Sequence, residues 1–246
     1  MTESSPMYRD LATYYDRIYS WKDYRGETAR VVALARRYGR TRGRRWLDVA
    51  CGTGRHLEFL RSRYDATGID LSRAMLRAAR RRVPGVRLVV GDMRTFDLGE
   101  RFDVVSCLFS AIGYLRTDGD LSRTFRNFAR HLLPGGVVVI SPWLTPGEFR
   151  PGHISLTVYE DATTKIVRAG FSVRRGSTST IVFDHLIGEA GRGVRRVHEV
   201  EALRLVPSAR LRRLLSEAGL RTTWLPRAPG RNGDRGWLIG VAPGGR

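Results

Sequence analysis

Residues 46–60, "WLDVACGTGRHLEFL", decide how this chain reads. The stretch opens on apolar residues, turns through Gly52 and Gly54, and leaves with the apolar spacing of a helix from Arg55 to about Tyr64. Two glycines at that bend let backbone pass close to a ligand with no Cβ in the way.

The flanking sequence repeats the unit. Upstream, residues 26–38, "GETARVVALARRY", have helical spacing. Downstream, "ATGID" predicts a second strand and "SRAMLRAARRR" a helix capped by Ser72. "RLVVGD" and "FDVVSCLFS" predict the third and fourth strands. "DLSRTFRNFARHLL" reads as a helix closed by Pro134, Gly135 and Gly136, and "GVVVIS" as the fifth strand. Strands alternating with helices in this way predict an α/β fold, a doubly wound and mostly parallel sheet. After Pro146 the texture changes to four strand-like runs, "HISLTVYED", "TKIVRAGFSVRRG", "TSTIVFDHLIGE" and "VRRVHEVEALRLV", which predict an inserted antiparallel meander. Ser208 to Ala218 reads as a helix with Gly219 in its C-terminal cap, and "LRTTWL" and "GWLIGV" return as strands. The expected organisation is a core over 1–144, the meander over 145–206 on the substrate or dimer side, and a return to the core over 207–246.

The bulk composition bounds the rest. The 246 residues are 42% hydrophobic, enough to bury a sizeable core, and no apolar run is long enough to span a membrane. The start "MTESSPMYRD" lacks a signal-peptide profile, and Cys51 and Cys107 are too few for a disulfide framework. A cytoplasmic location without membrane contact is the expectation. The net charge of +19 raises a nucleic-acid partner. Of the 43 basic residues, however, only Lys22 and Lys165 are lysine, and the arginines are scattered along the whole chain. That pattern fits a coding bias and solvated faces better than a phosphate-binding block, so no nucleic acid is expected. The histidines have no metal-ligand spacing, so no metal is expected either.

Ligands of open α/β sheets sit beyond the carboxyl ends of the strands. Four loops should meet there. In "DVACGTG" the third glycine of a dinucleotide fingerprint is replaced by Leu57, which argues against a pyrophosphate. Asp70 in "GIDLS" can accept from both hydroxyls of a ribose, or merely cap the next helix. Asp92 in "GDMR" can accept from an adenine amino group while the Met93 backbone meets the ring, or serve as an ordinary turn residue. "LFSAIGY" supplies Phe109 to cover a ligand and Tyr114 to face a substrate. Met75 is a helix residue that more often belongs to the core. Cys51 reads as a packed thiol, and His131 as the stabiliser of a helix end rather than a base.

As a set, "LDVACGTG", "GIDLS", "GDMR" and "HLLPGG" resemble the class I S-adenosylmethionine (SAM)-dependent methyltransferases. The finer resemblance is to the N-methyltransferases of TDP-linked amino sugars of the desosamine and mycaminose kind in antibiotic biosynthesis. It rests on "YYDRIYSWKDY", "VACGTGRHL", "GDMRTFDLGERFD", "CLFSAIGYL", "PWLTPGEFRPG" and "DRGWLIGV". The resemblance implies SAM as methyl donor, with S-adenosylhomocysteine (SAH) as product, and a homodimer. It implies that Tyr24 holds the SAM carboxylate, that Ala50, Gly52 and Gly54 line the methionyl portion, and that the Leu108 backbone meets the amino group. Asp70 and Leu71 would take the ribose, Asp92 and Met93 the adenine, with Met75 and Phe109 as walls. Tyr8 and Tyr114 would flank the acceptor amine as the catalytic pair. Trp143, Arg175 and Arg235 would bind the nucleotide-sugar, the two arginines at its diphosphate. On this acceptor side the chain departs from the family pattern, with Ser141 where glutamate is usual and Ala111 where serine is. Those departures keep a second expectation open, SAM-dependent methylation of another small acceptor at N, O or C. A nucleic-acid methyltransferase and a non-catalytic SAM-binding protein are further readings, the first disfavoured by the lack of a basic block.

Overall fold

The computed structural model of the protein describes residues 6–227 and 236–244. Its centre is a seven-stranded sheet. The strands are β1 (Arg45–Val49), β2 (Asp65–Asp70), β3 (Arg87–Val90), β4 (Phe102–Cys107), β5 (Leu132–Ile140), β10 (Arg221–Leu225) and β11 (Trp237–Val241). Their spatial order is β10-β11-β5-β4-β1-β2-β3. The first five run parallel to their neighbours, and the last two are antiparallel additions at one edge. The strand order reverses between β1 and β4, the point where such sheets open a crevice. The register brings the strand ends level there, Val49 lying opposite both Ile69 and Cys107.

Alternation along the strands fills both faces of this sheet. Val138 and Ile140 face the layer of α5 (Asp118–Arg130) and α6 (Ser208–Glu217), where Phe125, Phe128, Leu214 and Leu215 are buried. Val137 and Val139 face the opposite layer with Trp46, Leu60 and the Val31–Ala35 side of α2 (Tyr24–Tyr38). The helices begin where short polar side chains satisfy the free N–H groups of the first turn. Asp23 caps α2 by accepting from Gly26 N at 2.8 Å, and Thr117 caps α5 by accepting from Asp120 N at 3.0 Å. Ser72 caps α4 (Arg73–Arg82), as its sequence predicts, through Met75 N at 3.1 Å.

The inserted meander is a separate antiparallel sheet of β6 (Ile154–Glu160), β7 (Thr164–Arg175), β8 (Thr178–Glu189) and β9 (Gly193–Arg204), in sequence order. Its inner face receives the N-terminal segment. Met7, Leu11, Tyr14 and Ile18, the last on the short helix α1 (Tyr15–Ile18), pack on Ile166 and Ile187. The N-terminal residues therefore build the meander's core as well as the lid of the crevice.

Two helix ends fall several residues short of the sequence reading. The helix expected to run to Leu133 stops at Arg130, because Leu132 already pairs with Phe102 and His131 O accepts from Phe102 N at 2.7 Å. Sheet pairing overrides a helical pattern that Pro134 alone would have ended. The helix after the glycine turn, α3, is Arg55–Leu60 rather than reaching Tyr64. Its last turn gives way to the bend that feeds β2.

Gly68 in β2 is the tightest point under the glycine turn. A Cβ there would lie 2.7 Å from Leu57 Cδ1, 2.8 Å from Leu88 Cδ2 and 2.9 Å from Cys51 Sγ. Overpacking of this kind costs about 1–3 kcal/mol. Gly68→Ala should lower the unfolding free energy by that amount, read as a lower urea midpoint with an unchanged m value, and an unchanged midpoint would show that the turn has slack to give.

Candidate active site

Every non-glycine residue with left-handed backbone among the described residues lies at the carboxyl edge of the central sheet. These are Ala50 at φ 59°, Phe109 at 51° and Ser110 at 67°. Such conformations cost about 1–3 kcal/mol each and persist where surrounding structure over-determines them. Here they lie in the loops after β1 and β4, which line the crevice. Gly52 also has positive φ, and a Cβ added to it would meet open space. It borders a cleft of about 560 Å³.

One end of the cleft holds three polar groups whose buried atoms lack a hydrogen-bond partner. They are Tyr24 Oη, Asp48 Oδ2 and Arg55 Nε. Burial pushes the Tyr24 phenol far up, so it is a donor at any ordinary pH. Asp48 is also pushed up by burial, while Ser106 Oγ donates to its other oxygen at 2.7 Å. The Arg55 guanidinium lies 3.7 Å from Asp16 and over the Tyr24 ring at 5.1 Å. Behind them Glu27 accepts from Lys22 and pairs with His56, both at 2.6 Å. Burial opposes ionisation of Glu27, but His56 and Lys22 together bring it down to about 2. Lys22 also sits 4.5 Å over the Phe109 ring, which ties this end of the cleft to the loop after β4.

Asp70 also borders this cleft. Its two oxygens accept from Gly52 N and Ser72 N, both at 2.8 Å. Burial raises it to about 6 despite those two bonds, and no side-chain ion pair reaches it among the described residues. A smaller adjoining hollow, about 230 Å³, is walled by Ala50, Leu71, Asp92 and Met93. There Arg94 holds Asp92, its Nε 3.0 Å from both oxygens, and brings the carboxyl below its usual range. Asp92 thus presents a fixed, ionised edge to the hollow.

The other end of the cleft is made by Tyr8 and Tyr114, edge to face, with their hydroxyls 2.6 Å apart. Tyr114 Oη donates to Glu201 Oε1 at 3.1 Å. Burial pushes both phenols well above 10, with the Glu201 charge adding to it, so neither is a base. Tyr8 is fixed from two sides. Its carbonyl accepts from Ser72 Oγ at 2.6 Å, and the neighbouring Met7 N donates to Glu199 of β9 at 3.2 Å.

Most residues singled out from sequence therefore converge. Tyr8, Tyr24, Ala50, Gly52, Asp70, Leu108, Phe109 and Tyr114 border the main cleft, and Leu71, Asp92 and Met93 the adjoining hollow. Four do not. Gly54 faces α4, where a Cβ would lie 3.2 Å from Ala79 Cβ, so close helix packing rather than ligand approach requires it. Met75 is wholly buried and borders neither space. Arg175 is exposed at the turn between β7 and β8, and Trp143 spends its indole N–H on Ser179 Oγ at 2.8 Å. Arg235 lies outside the described residues.

Sequence reasoning missed Asp48, Arg55 and Glu201. Asp48 had a signal, a lone carboxylate in an otherwise apolar strand. Glu201 had a weaker one, because "HEVEA" places Glu199 and Glu201 on one strand face, and that face is the buried one. His131 is structural as expected. It is buried at the end of α5, with Nδ1 2.8 Å from Asn127 O. Both cysteines are buried and free, and no cluster of metal-ligating side chains occurs among the described residues.

Comparison with known proteins agrees with this geometry. A family profile described as a methyltransferase domain matches residues 47–136. A dTDP-4-amino-2,3,4,6-tetradeoxy-D-glucose N,N-dimethyltransferase of Saccharopolyspora spinosa is 43% identical, over 97% of this chain and 96% of the relative. The crystal structure of Streptomyces venezuelae DesVI superposes with a TM-score of 0.88 at 37% identity, covering 95% of this chain and 98% of that one. The SAM-bound structure of an amino pentose methyltransferase of calicheamicin biosynthesis from Micromonospora echinaspora superposes with a TM-score of 0.82 at 34% identity, covering 94% and 95%. The chain is a SAM-dependent enzyme of the class I methyltransferase family, and within that family it belongs with the amino-sugar N-methyltransferases.

Proposed function

We propose that this enzyme methylates the amino group of a TDP-linked amino sugar, with Tyr8 and Tyr114 flanking the acceptor nitrogen. The observation that carries the reading is one cleft with two unlike ends. One end gathers Tyr24 Oη, Arg55 Nε and Asp48 Oδ2, and the other ends in two neutral hydroxyls backed by a carboxylate. The first set fits an amino acid zwitterion, since a phenol and a guanidinium suit a carboxylate and a buried carboxylate suits an ammonium.

SAM supplies a methyl group already activated on a sulfonium. Tyr24 and Arg55 take its carboxylate, and Asp48 with the Leu108 backbone takes its amino group. Asp70 takes the ribose hydroxyls, and Asp92 with Met93 the adenine edge. Ala50 and Gly52 give a bare backbone wall, and Phe109 covers the ligand. Tyr8 and Tyr114 hold the acceptor nitrogen in line and keep water out, and orientation of this kind can supply roughly 7–11 kcal/mol of rate enhancement. On the acceptor side the nucleotide-sugar is assigned to Trp143 and Arg175, although neither borders the cleft; a guanidinium suits a diphosphate. The likeness to the 4-amino-sugar enzyme favours a 4-amino acceptor over a 3-amino one.

The outer face of the meander supports a homodimer. Ile154 is 74% exposed, Leu156 69% and Val158 61%, and Val167, Phe171, Leu186 and Val200 extend the same apolar face. A face of this kind on a soluble chain marks a contact surface. No helix among the described residues is long and apolar enough to cross a membrane. With both thiols buried and free, we place the enzyme in the cytoplasm.

Three measurements test these readings. Incubation with SAM and TDP-4-amino or TDP-3-amino sugars should yield mono- and dimethylated products by mass spectrometry. Consumption of SAM with a different acceptor, and none with these, would move the enzyme to another substrate class. SAH affinity should hold above about pH 7 and weaken as pH falls through about 6, because Asp70 is raised in the free protein and only its ionised form takes two hydroxyl donors at full strength. Asp70→Asn should bind SAH about tenfold to a hundredfold more weakly with that pH step gone, as expected for hydrogen bonds to a charged group. Calorimetry showing an unchanged step in Asp70→Asn would remove Asp70 from the ribose. Leu156→Asp should convert a dimer to monomer in light scattering, whereas an unaltered dimer would place the interface elsewhere.

A further inference from the structure

The two tyrosines and Glu201 form a chain of hydrogen bonds whose direction is fixed. An ionised carboxylate only accepts, so Tyr114 donates to Glu201 Oε1. A phenol has one proton, so the 2.6 Å bond between the hydroxyls must be donated by Tyr8 to Tyr114. Both protons are then committed, and the hydroxyl lone pairs left facing the cleft can only accept. A nitrogen entering between them is therefore held through its own N–H bonds.

We propose that Glu201 is the positioning residue and terminal proton acceptor for the acceptor amine, acting through Tyr114 and Tyr8. This rests on the proposed methylation of an amine. Alkyl ammonium groups are mostly protonated at neutral pH and cannot attack until one proton leaves. A proton passes from the bound ammonium nitrogen to Tyr8 Oη as the Tyr8 proton passes to Tyr114 and the Tyr114 proton to Glu201 Oε1. The N–H electron pair stays on nitrogen as its lone pair, both phenols end neutral with the direction of their hydrogen bonds reversed, and the Glu201 carboxylate becomes a carboxylic acid; loss of that proton lets the hydroxyls turn back. Glu201 then returns its proton to solvent between turnovers. The phenols stay neutral throughout, in keeping with the upward push that burial gives them.

The groups that face Glu201 come from several elements. Tyr8 is in the first turn of the described chain, Tyr15 lies on α1 and Tyr19 just beyond it, and Tyr114 follows β4. Arg168 of β7 and Glu199 of β9 border the same cluster through Tyr19, and Glu199 is paired with His185 at 3.1 Å. Glu201 is 8% exposed, so little water reaches the carboxylate that receives the Tyr114 hydroxyl.

The test compares pH profiles of kcat/KM for the wild-type enzyme and Glu201→Gln with SAM and a TDP-amino sugar. Glutamine can accept the Tyr114 hydrogen bond but cannot take a proton. The wild-type profile should stay nearly flat from about pH 8.5 to 6.5. The variant should lose about a hundredfold at pH 7, fall about tenfold per pH unit as the neutral amine disappears, and recover at alkaline pH with KM for SAM unchanged. Tyr114→Phe breaks the chain with Glu201 still present and should show the same slope; it decides the matter if Glu201→Gln fails to bind SAH. Parallel profiles for the wild type and both variants would overturn the relay and leave the amine reading intact. No methylation of any TDP-amino sugar by wild-type enzyme that binds SAH would overturn the amine reading, and the relay with it.

Discussion

The whole site is organised around a buried carboxylate that has no ion-pair partner among the described residues. Asp70 ends β2 and accepts from Gly52 N on one oxygen and Ser72 N on the other. These two bonds clamp the glycine turn after β1 to the start of α4, so three successive elements share one group. The clamp has a cost. A carboxyl whose folded value is raised from 3.8 to about 6 favours folding most at low pH, and that contribution is lost as pH rises through about 6. At neutral pH the free protein therefore carries roughly 3 kcal/mol against it at this position. A ligand that donates hydrogen bonds to the ionised form relieves the penalty, so the instability of the empty turn becomes affinity for the filled one.

The second constraint is the use of the N-terminal segment as mortar between two sheets. Asp16 accepts from Thr53 Oγ1 at 2.7 Å and pairs with Arg82 of α4, which ties the segment to the glycine turn. Met7, Leu11 and Ile18 meanwhile fill the inner face of the meander. The cleft is lined by the loops of the central sheet and by the N-terminal segment, and the meander backs it through the hydrogen bond to Tyr114. The central sheet supplies Asp48, Asp70 and Tyr114, the segment supplies Tyr8, and the meander supplies Glu201. Closing the two sheets on one another brings Tyr8, Tyr114 and Glu201 within hydrogen-bond reach.

That assembly explains what could be read from the chain beforehand. The parallel sheet was legible because each strand, turn and helix carries its signal locally, from the Gly52 bend to the Ser72 cap. The meander was legible for the same reason, its strands alternating between buried and exposed residues. The end of α5 was not, because the pairing of Leu132 with Phe102 is a long-range contact that no local pattern records. The site divides in the same way. Asp70 and Asp92 stand at strand ends, where position alone suggests a role. Glu201 stands mid-strand in a different sheet, 87 residues from the tyrosine it faces. Gly54 shows the opposite case. Its spacing suggested a ligand, whereas its contact is with the next helix.

Charge completes the picture. The chain carries +19 overall, yet the groups that face the cleft include Asp48, Asp70 and, behind the tyrosines, Glu201. The two signs do different work. A surface rich in arginine raises the local concentration of anions and speeds their encounter, whatever their identity. A buried carboxylate reads only what reaches it, and at the acceptor end it favours a group that brings N–H bonds and positive charge. A substrate with a diphosphate at one end and an amine at the other satisfies both demands at once. A nucleic acid satisfies only the first, and a simple amine only the second. The positive charge that suggests a polyanionic polymer is thus better matched to a small nucleotide-sugar that carries both a diphosphate and an amine.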